Sequence, residues 1–325
     1  MNLKWILKHF PLRIAVTDYC NLKCFFCSNE GMKLTQKNRQ HIDIDKLKYL
    51  IAVLTKNGLK NISITGGDPT IYPKIIELLS FLKQFKFKDV FFHTNGINLN
   101  KNLLETLSGV CNKIAVSIHT ANFETWKKIT NGNQGQFKNL MKNLELLSKL
   151  NDKFLIELKF VSIKGYNDSE KEFKDFVELC NKFKFKFKFL NFEPILPQHI
   201  NLTIHFDEVI EKLINIGCQP QKDDKKFRGQ SNYLPIKKFT YKNTFGVAIE
   251  IGCGDPKICQ DCYQSNEIFI TPKLSIKPCH MNPHEILLEK FINYKNEKAI
   301  CDAIAESRMF LSKSPGAGLN IWQNN

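Results

Sequence analysis

The chain has 325 residues, 43% of them apolar, which suits one large α/β domain plus an appendage. No stretch approaches the roughly 20 apolar residues of a membrane span, and the basic start "MNLKWILKHF" lacks a small-residue cleavage site, so a spanning or secreted protein is set aside and the cytoplasm is expected. The formal charge is +15, but the arginines are only Arg13, Arg39, Arg228 and Arg308 and the lysines are spread along the chain. This reads as solvated lysine-rich faces, with an anionic partner as the alternative, a small molecule ahead of nucleic acid.

From residue 12 to 195 strand-like and helix-like segments alternate. The expected strands are "LRIAVT" (12–17), "NISIT" (61–65), "DVFFHT" (89–94), "KIAVSI" (113–118), "FLIELKFVSI" (154–163) and "FKFKFKFL" (183–190). Asp43 and Thr70 are expected helix N-caps, and Gly58 a helix stop. Regular βα alternation implies a parallel sheet with right-handed crossovers. Six units are too few for a closed eight-stranded barrel, so the fold class is α/β, a partial (β/α)6 barrel over 1–195. In such folds chemistry sits at the carboxyl ends of the strands, where "TGGDPT", "HTNG" and "SIHTAN" all fall. The Phe–Lys alternation near 183–190 has two readings. It is an edge strand whose lysines deter sheet pairing, or Lys188 faces the cavity and meets an anion. Residues 196–250 read as a linker or lid region with one helix-like run near 206–217. Residues 251–325 form a cysteine-bearing extension and tail, in which "IFITPKLSIKPC" reads as two short strands about a Pro-Lys turn.

Eleven cysteines without a secretory signal favour metal or redox chemistry over disulfides. Cys111, Cys180, Cys218 and Cys301 are isolated and read as small buried hydrophobes. Cys20, Cys24 and Cys27 follow the first strand with x3 and x2 spacing. Three thiolates with no nearby histidine fit zinc poorly and fit an iron–sulfur cluster with one iron open.

"VTDYCNLKCFFC", with Phe26 before the third cysteine, resembles the signature of the radical S-adenosylmethionine (SAM) enzymes. The resemblance implies that Cys20, Cys24 and Cys27 hold a [4Fe–4S] cluster whose open iron is chelated by SAM. One electron, from a donor of flavodoxin or ferredoxin type, then splits SAM to methionine and a 5′-deoxyadenosyl radical that takes a hydrogen atom from the substrate. It also implies that Gly66, Gly67, Asp68 and Pro69 border the SAM ammonium, with Asp68 in place of the usual glutamate. Thr94, Asn95 and Ser117 match positions that hold its carboxylate and ribose, and Phe192 in "NFEP" matches a backbone contact to adenine.

The second group, Cys253, Cys259, Cys262 and Cys279, suits a second site, with zinc as one alternative. Here the chain resembles the GTP 3′,8-cyclase family and, more loosely, enzymes with twitch or SPASM extensions. That implies a second (auxiliary) [4Fe–4S] cluster on Cys259, Cys262 and Cys279, with Cys253 either closing its fourth iron or standing aside. The likeness has gaps. Glu267 and Phe269 stand where the family has an Arg-x-Arg pair, Asn61 and Ser63 replace basic residues, and Glu157 replaces a lysine. Arg13 is kept, and Lys188 stands at an arginine position, so these two are the expected substrate residues. The expected substrate is a small anionic molecule, a nucleotide or sugar derivative. A peptide-modifying enzyme and a true GTP 3′,8-cyclase are the alternatives.

Overall fold

The computed structural model describes residues 2–32, 39–192, 194, 197–222, 236–251, 267–278 and 284–313. After α1 (Leu3–His9), six βα units follow in chain order. Strands β1 (Leu12–Ala15), β2 (Asn61–Thr65), β3 (Asp89–Thr94), β4 (Lys113–Ser117), β5 (Leu155–Ser162) and β6 (Lys186–Asn191) lie side by side, all parallel. Between them run α2 (Ile44–Lys56), α3 (Ile75–Leu82), α4 (Lys101–Ser108), α5 (Phe123–Thr130), α6 (Gln134–Ser148) and α7 (Glu170–Phe183). This is the partial-barrel α/β architecture that the alternation implies.

Helix starts obey local chemistry. Asp43 caps α2 by accepting from the backbone of Asp45 and Lys46, and Gly58, at φ 107°, follows its end. Thr70 is not a cap. It lies inside a short 3-10 turn, Pro69–Ile71, that Asp68 caps, and α3 begins five residues later.

Alternation along each strand separates two faces. Ile62 and Ile64 of β2 join the core beneath the helices, whereas Ser63 and Thr65 face the lumen. On β6, Phe189 packs on Phe160, Phe173 and Phe176 with ring centroids 4.7 to 5.3 Å apart. Lys186 and Lys188 take the opposite face. Because β6 lies between β5 and a later strand, the edge-strand reading is corrected: these lysines line an interior strand. The strand also starts later than the alternation predicts, since Phe183 ends α7 and Lys184 turns the chain at φ 57°.

The later chain adds α8 (Phe206–Asn215), β7 (Gln219–Pro220), β8 (Ile236–Tyr241), β9 (Thr244–Ile249), β10 (Ile268–Ile270), β11 (Ser275–Lys277), β12 (Ile286–Leu287), α9 (Glu289–Asn293) and α10 (Glu297–Lys313). Strand β9 runs parallel to β6, and β10 parallel to β1, so the later chain flanks both sides of the barrel sheet. Residues 236–249, read from sequence within a linker, form a hairpin that turns at Lys242. Strands β10 and β11 are the antiparallel pair expected of "IFITPKLSIK". Cys111, Cys180 and Cys218 are buried, and Cys301 partly so. Among the described residues no helix is long and apolar enough to cross a membrane.

Candidate active site at the carboxyl end of the barrel

The chain leaving β1 enters the three-cysteine loop, which is pinned from two sides. On one side the backbone N–H of Gly67 donates to Thr17 O at 2.7 Å and that of Asp68 to Tyr19 O at 2.8 Å. On the other, Lys23 N–H and Phe25 N–H donate to Thr130 O and Ile129 O, and Gln136 Nε2 donates to Asn21 O. The first contact explains the glycine pair. A Cβ on Gly66 would lie 2.5 Å from Thr17 O, and one on Gly67 2.0 Å from Tyr19 O, both inside van der Waals contact. Only glycine lets the β2 turn lie this close to the cysteine loop.

The three thiols share one neighbourhood. Burial pushes Cys20 up to about 11 and raises Cys24 and Cys27 as well, and the approach of Cys20 and Cys27 raises Cys24 further. Three thiolates crowded together need a cationic centre to ionise. Backbone N–H groups of Leu22 and Asn29 already donate to Cys20 Sγ and Cys27 Sγ, each at 3.4 Å, as bound thiolates require. Three cysteine thiolates are the donors an iron–sulfur cluster takes, and these residues fit one.

Asp68 organises the next two strand ends. Its buried carboxylate accepts from Thr70 N, Thr70 Oγ1 and Thr94 Oγ1 (2.9 Å) and from Asn95 N (2.7 Å). Asn95 then points its amide at Asn21 Oδ1 (2.6 Å) and Cys20 Sγ (3.7 Å). The GGDP turn, the HTNG turn and the cysteine loop are therefore one hydrogen-bonded unit, with Pro69 buried beside it. Ser117 ends β4 in register with Lys159 of β5. Phe26 meets Phe192 and His119 edge-on, with centroids 6.3 and 5.1 Å away. His119 adopts φ 67°, accepts from Val161 N–H through Nδ1, and is held near pKa 3 by burial and by Lys159.

Inside the lumen stands a charged network that the sequence does not announce. Arg13 forms two hydrogen bonds to Glu30, at 2.7 and 3.1 Å, and one to Glu267 at 3.2 Å. It also reaches His93 Nε2 and Thr65 Oγ1. His93 contacts Ser63 Oγ at 2.8 Å and, through Nδ1, Lys159 Nζ at 2.8 Å. Lys188 lies 3.9 Å from Glu157. Arg13 and Lys188 thus share the lumen but both face carboxylates. Lys159 and Glu30 escaped the sequence reading because they sit on a strand and a loop without belonging to a motif, and His93 was read only as part of the HTNG turn.

Cys253, Cys259, Cys262 and Cys279 lie outside the described residues. Their described neighbours touch the barrel. Ile251 exchanges two hydrogen bonds with Asn191 at the end of β6, and Glu267 holds Arg13.

A family profile described as the radical SAM superfamily matches residues 14–180, from β1 into α7, more than half of the chain. The chain belongs to the radical SAM superfamily. Among its radical SAM relatives, the GTP 3′,8-cyclase of Limosilactobacillus fermentum is 27% identical over 289 residues, covering 87% of this chain and 83% of that one. The probable GTP 3′,8-cyclase of Methanocaldococcus jannaschii is 30% identical over 206 residues, 62% of this chain and 66% of its own length. In structure the chain is similar to Streptococcus suis SuiB bound to S-adenosylmethionine, with a TM-score of 0.63 at 17% identity, over 90% of this chain and 68% of SuiB. That likeness shows a shared fold. Cys20, Cys24 and Cys27 are the residues that could hold a cluster here, hydrogen-bonded into one unit with the GGDP and HTNG turns.

Proposed function

We propose that this radical SAM enzyme reductively cleaves SAM at the three-cysteine cluster and removes a hydrogen atom from a small anionic substrate in the barrel lumen. The cluster and SAM supply the radical; the protein's part is to place them and exclude water. The observation that carries this is the Asp68–Asn95–Cys20 linkage, which joins three strand ends around the loop. SAM would lie over Gly66, Gly67 and Ser117, beside Phe26 and Phe192. A cytoplasmic donor of flavodoxin or ferredoxin type would supply the electron.

A second cluster on Cys259, Cys262 and Cys279, with or without Cys253, belongs to the same proposal. It is supported by the anchoring of Ile251 and Glu267 on the barrel. The similarity to GTP 3′,8-cyclases favours a nucleotide or sugar derivative. A triphosphate fits less well, because Glu30, Glu157 and Glu267 line the lumen and would repel it.

Anaerobic reconstitution followed by dithionite and SAM tests the proposal. The wild type is expected to release 5′-deoxyadenosine and to carry about eight irons, whereas Cys24→Ala releases none. Release by Cys24→Ala at the wild-type rate would overturn the reading, and four irons with one zinc would remove the second cluster.

A further inference from the structure

The contacts of Arg13 and His93 bear on the state of one lysine. Arg13 has five N–H donors, and its five contacts are Glu30 Oε1, Glu30 Oε2, Thr65 Oγ1, Glu267 Oε2 and His93 Nε2. Arginine can only donate, so His93 Nε2 accepts. A neutral imidazole then carries its proton on Nδ1, which donates to Lys159 Nζ at 2.8 Å. In that tautomer the bond uses a lone pair on Lys159, the uncharged form of the amine. Desolvation, Lys188 and Arg13 act in the same direction and bring Lys159 down to about 7.

Lys188 stands directly opposite Lys159 in the β5–β6 register. Two like charges on facing positions destabilise a sheet, and neutral Lys159 avoids that cost. An anion arriving between them reverses the balance. We propose that Lys159, flanked by Lys188, seats a single oxyanion of the substrate, a carboxylate or a phosphate monoester, and takes up a proton in doing so. This rests on the reading of the lumen as the substrate chamber. The charged and titratable groups facing Lys159 are Arg13 of β1, His93 of β3, His119 after β4, Glu157 of β5, Lys188 of β6 and Glu30 of the loop after Cys27. Arg13 has no donor left for a second anionic group, and the carboxylates oppose one. The seat therefore takes one anionic group and not a chain of phosphates.

Calorimetry on the reconstituted protein without SAM tests this, with acetate, inorganic phosphate and tripolyphosphate as probes. Acetate or phosphate is expected to bind once per chain, and the tighter of the two names the substrate's group. At pH 8, buffers of different ionisation enthalpy are expected to report uptake of about one proton with acetate. Lys159→Met is expected to weaken binding at least about tenfold. Lys159→Arg keeps affinity within about threefold but abolishes proton uptake, because arginine stays charged. Lys186→Met, two residues below Lys188 on the same strand, leaves both unchanged. Wild-type binding by Lys159→Met, no binding of either small anion, no proton uptake, or tripolyphosphate bound more than about tenfold tighter than phosphate would each overturn the seat. Anion binding is read without SAM cleavage, so failure here and failure of the radical chemistry are distinguishable.

Discussion

Arg13 and Glu30 face each other through two hydrogen bonds, at 2.7 and 3.1 Å, inside the barrel. Glu30 lies three residues beyond Cys27, so this pair couples the cysteine loop to the floor of β1. Glu267 adds a third bond from the opposite side, and the two carboxylates hold the guanidinium charged. Removing the cation leaves both carboxylates enclosed and unpaired. Arg13→Gln is expected to cost about 3 kcal/mol in urea denaturation. Adding Glu30→Gln is expected to restore part of it, so the double-mutant cycle gives a coupling above about 1 kcal/mol. Additive costs would show that the pair is solvated and idle.

The contact between Gly67 and Tyr19 O has a sharper consequence. A methyl group at Gly67 needs space that the cysteine-loop backbone already fills. Gly67→Ala is therefore expected to displace the loop and lower first-cluster iron well below the wild type, while α2 and α3 stay folded. Iron content and circular dichroism measured on one sample check both halves. Full iron loading would show that the loop tolerates the shift.

His119 predicts a pH dependence. Its folded pKa, about 3, lies below the unfolded value of about 6.5. The unfolded chain therefore binds the proton first as pH falls. The stability is fully present above about 6.5 and is lost progressively below it. Between pH 7.5 and 5 the loss from this one group is about 2 kcal/mol. His119→Asn tolerates the left-handed backbone and is expected to flatten that part of the profile in urea titrations. An unchanged profile would assign the pH dependence to other groups.

These residues also show what a single sequence can and cannot disclose. The cysteine loop, Gly66–Gly67 and Asn95 were legible because each motif is a few residues long and follows a strand that its own periodicity marks. Asp68 could be placed in the turn, but its four donors, split between Thr70 and the β3 turn, could not. The Phe–Lys alternation of β6 revealed two faces. Whether it was an edge depended on β9, more than fifty residues later, and hence on a pairing with no local signal. Arg13 was visible as a candidate anion ligand, yet its partner Glu267 comes 254 residues further along the chain. Lys159 read only as part of a strand, because its significance depends on His93 from β3 and Lys188 from β6.

The proposed radical chemistry depends on SAM occupying the open iron of the cluster at Cys20, Cys24 and Cys27. The direct measurement is electron–nuclear hyperfine spectroscopy on the dithionite-reduced protein with SAM labelled by 15N at its amino group. Changing Cys259, Cys262 and Cys279 to Ala isolates the first cluster. A 15N coupling is expected in that variant, and its loss when Cys24 is also changed to Ala. A reduced first cluster that shows no coupling to the SAM nitrogen would contradict it.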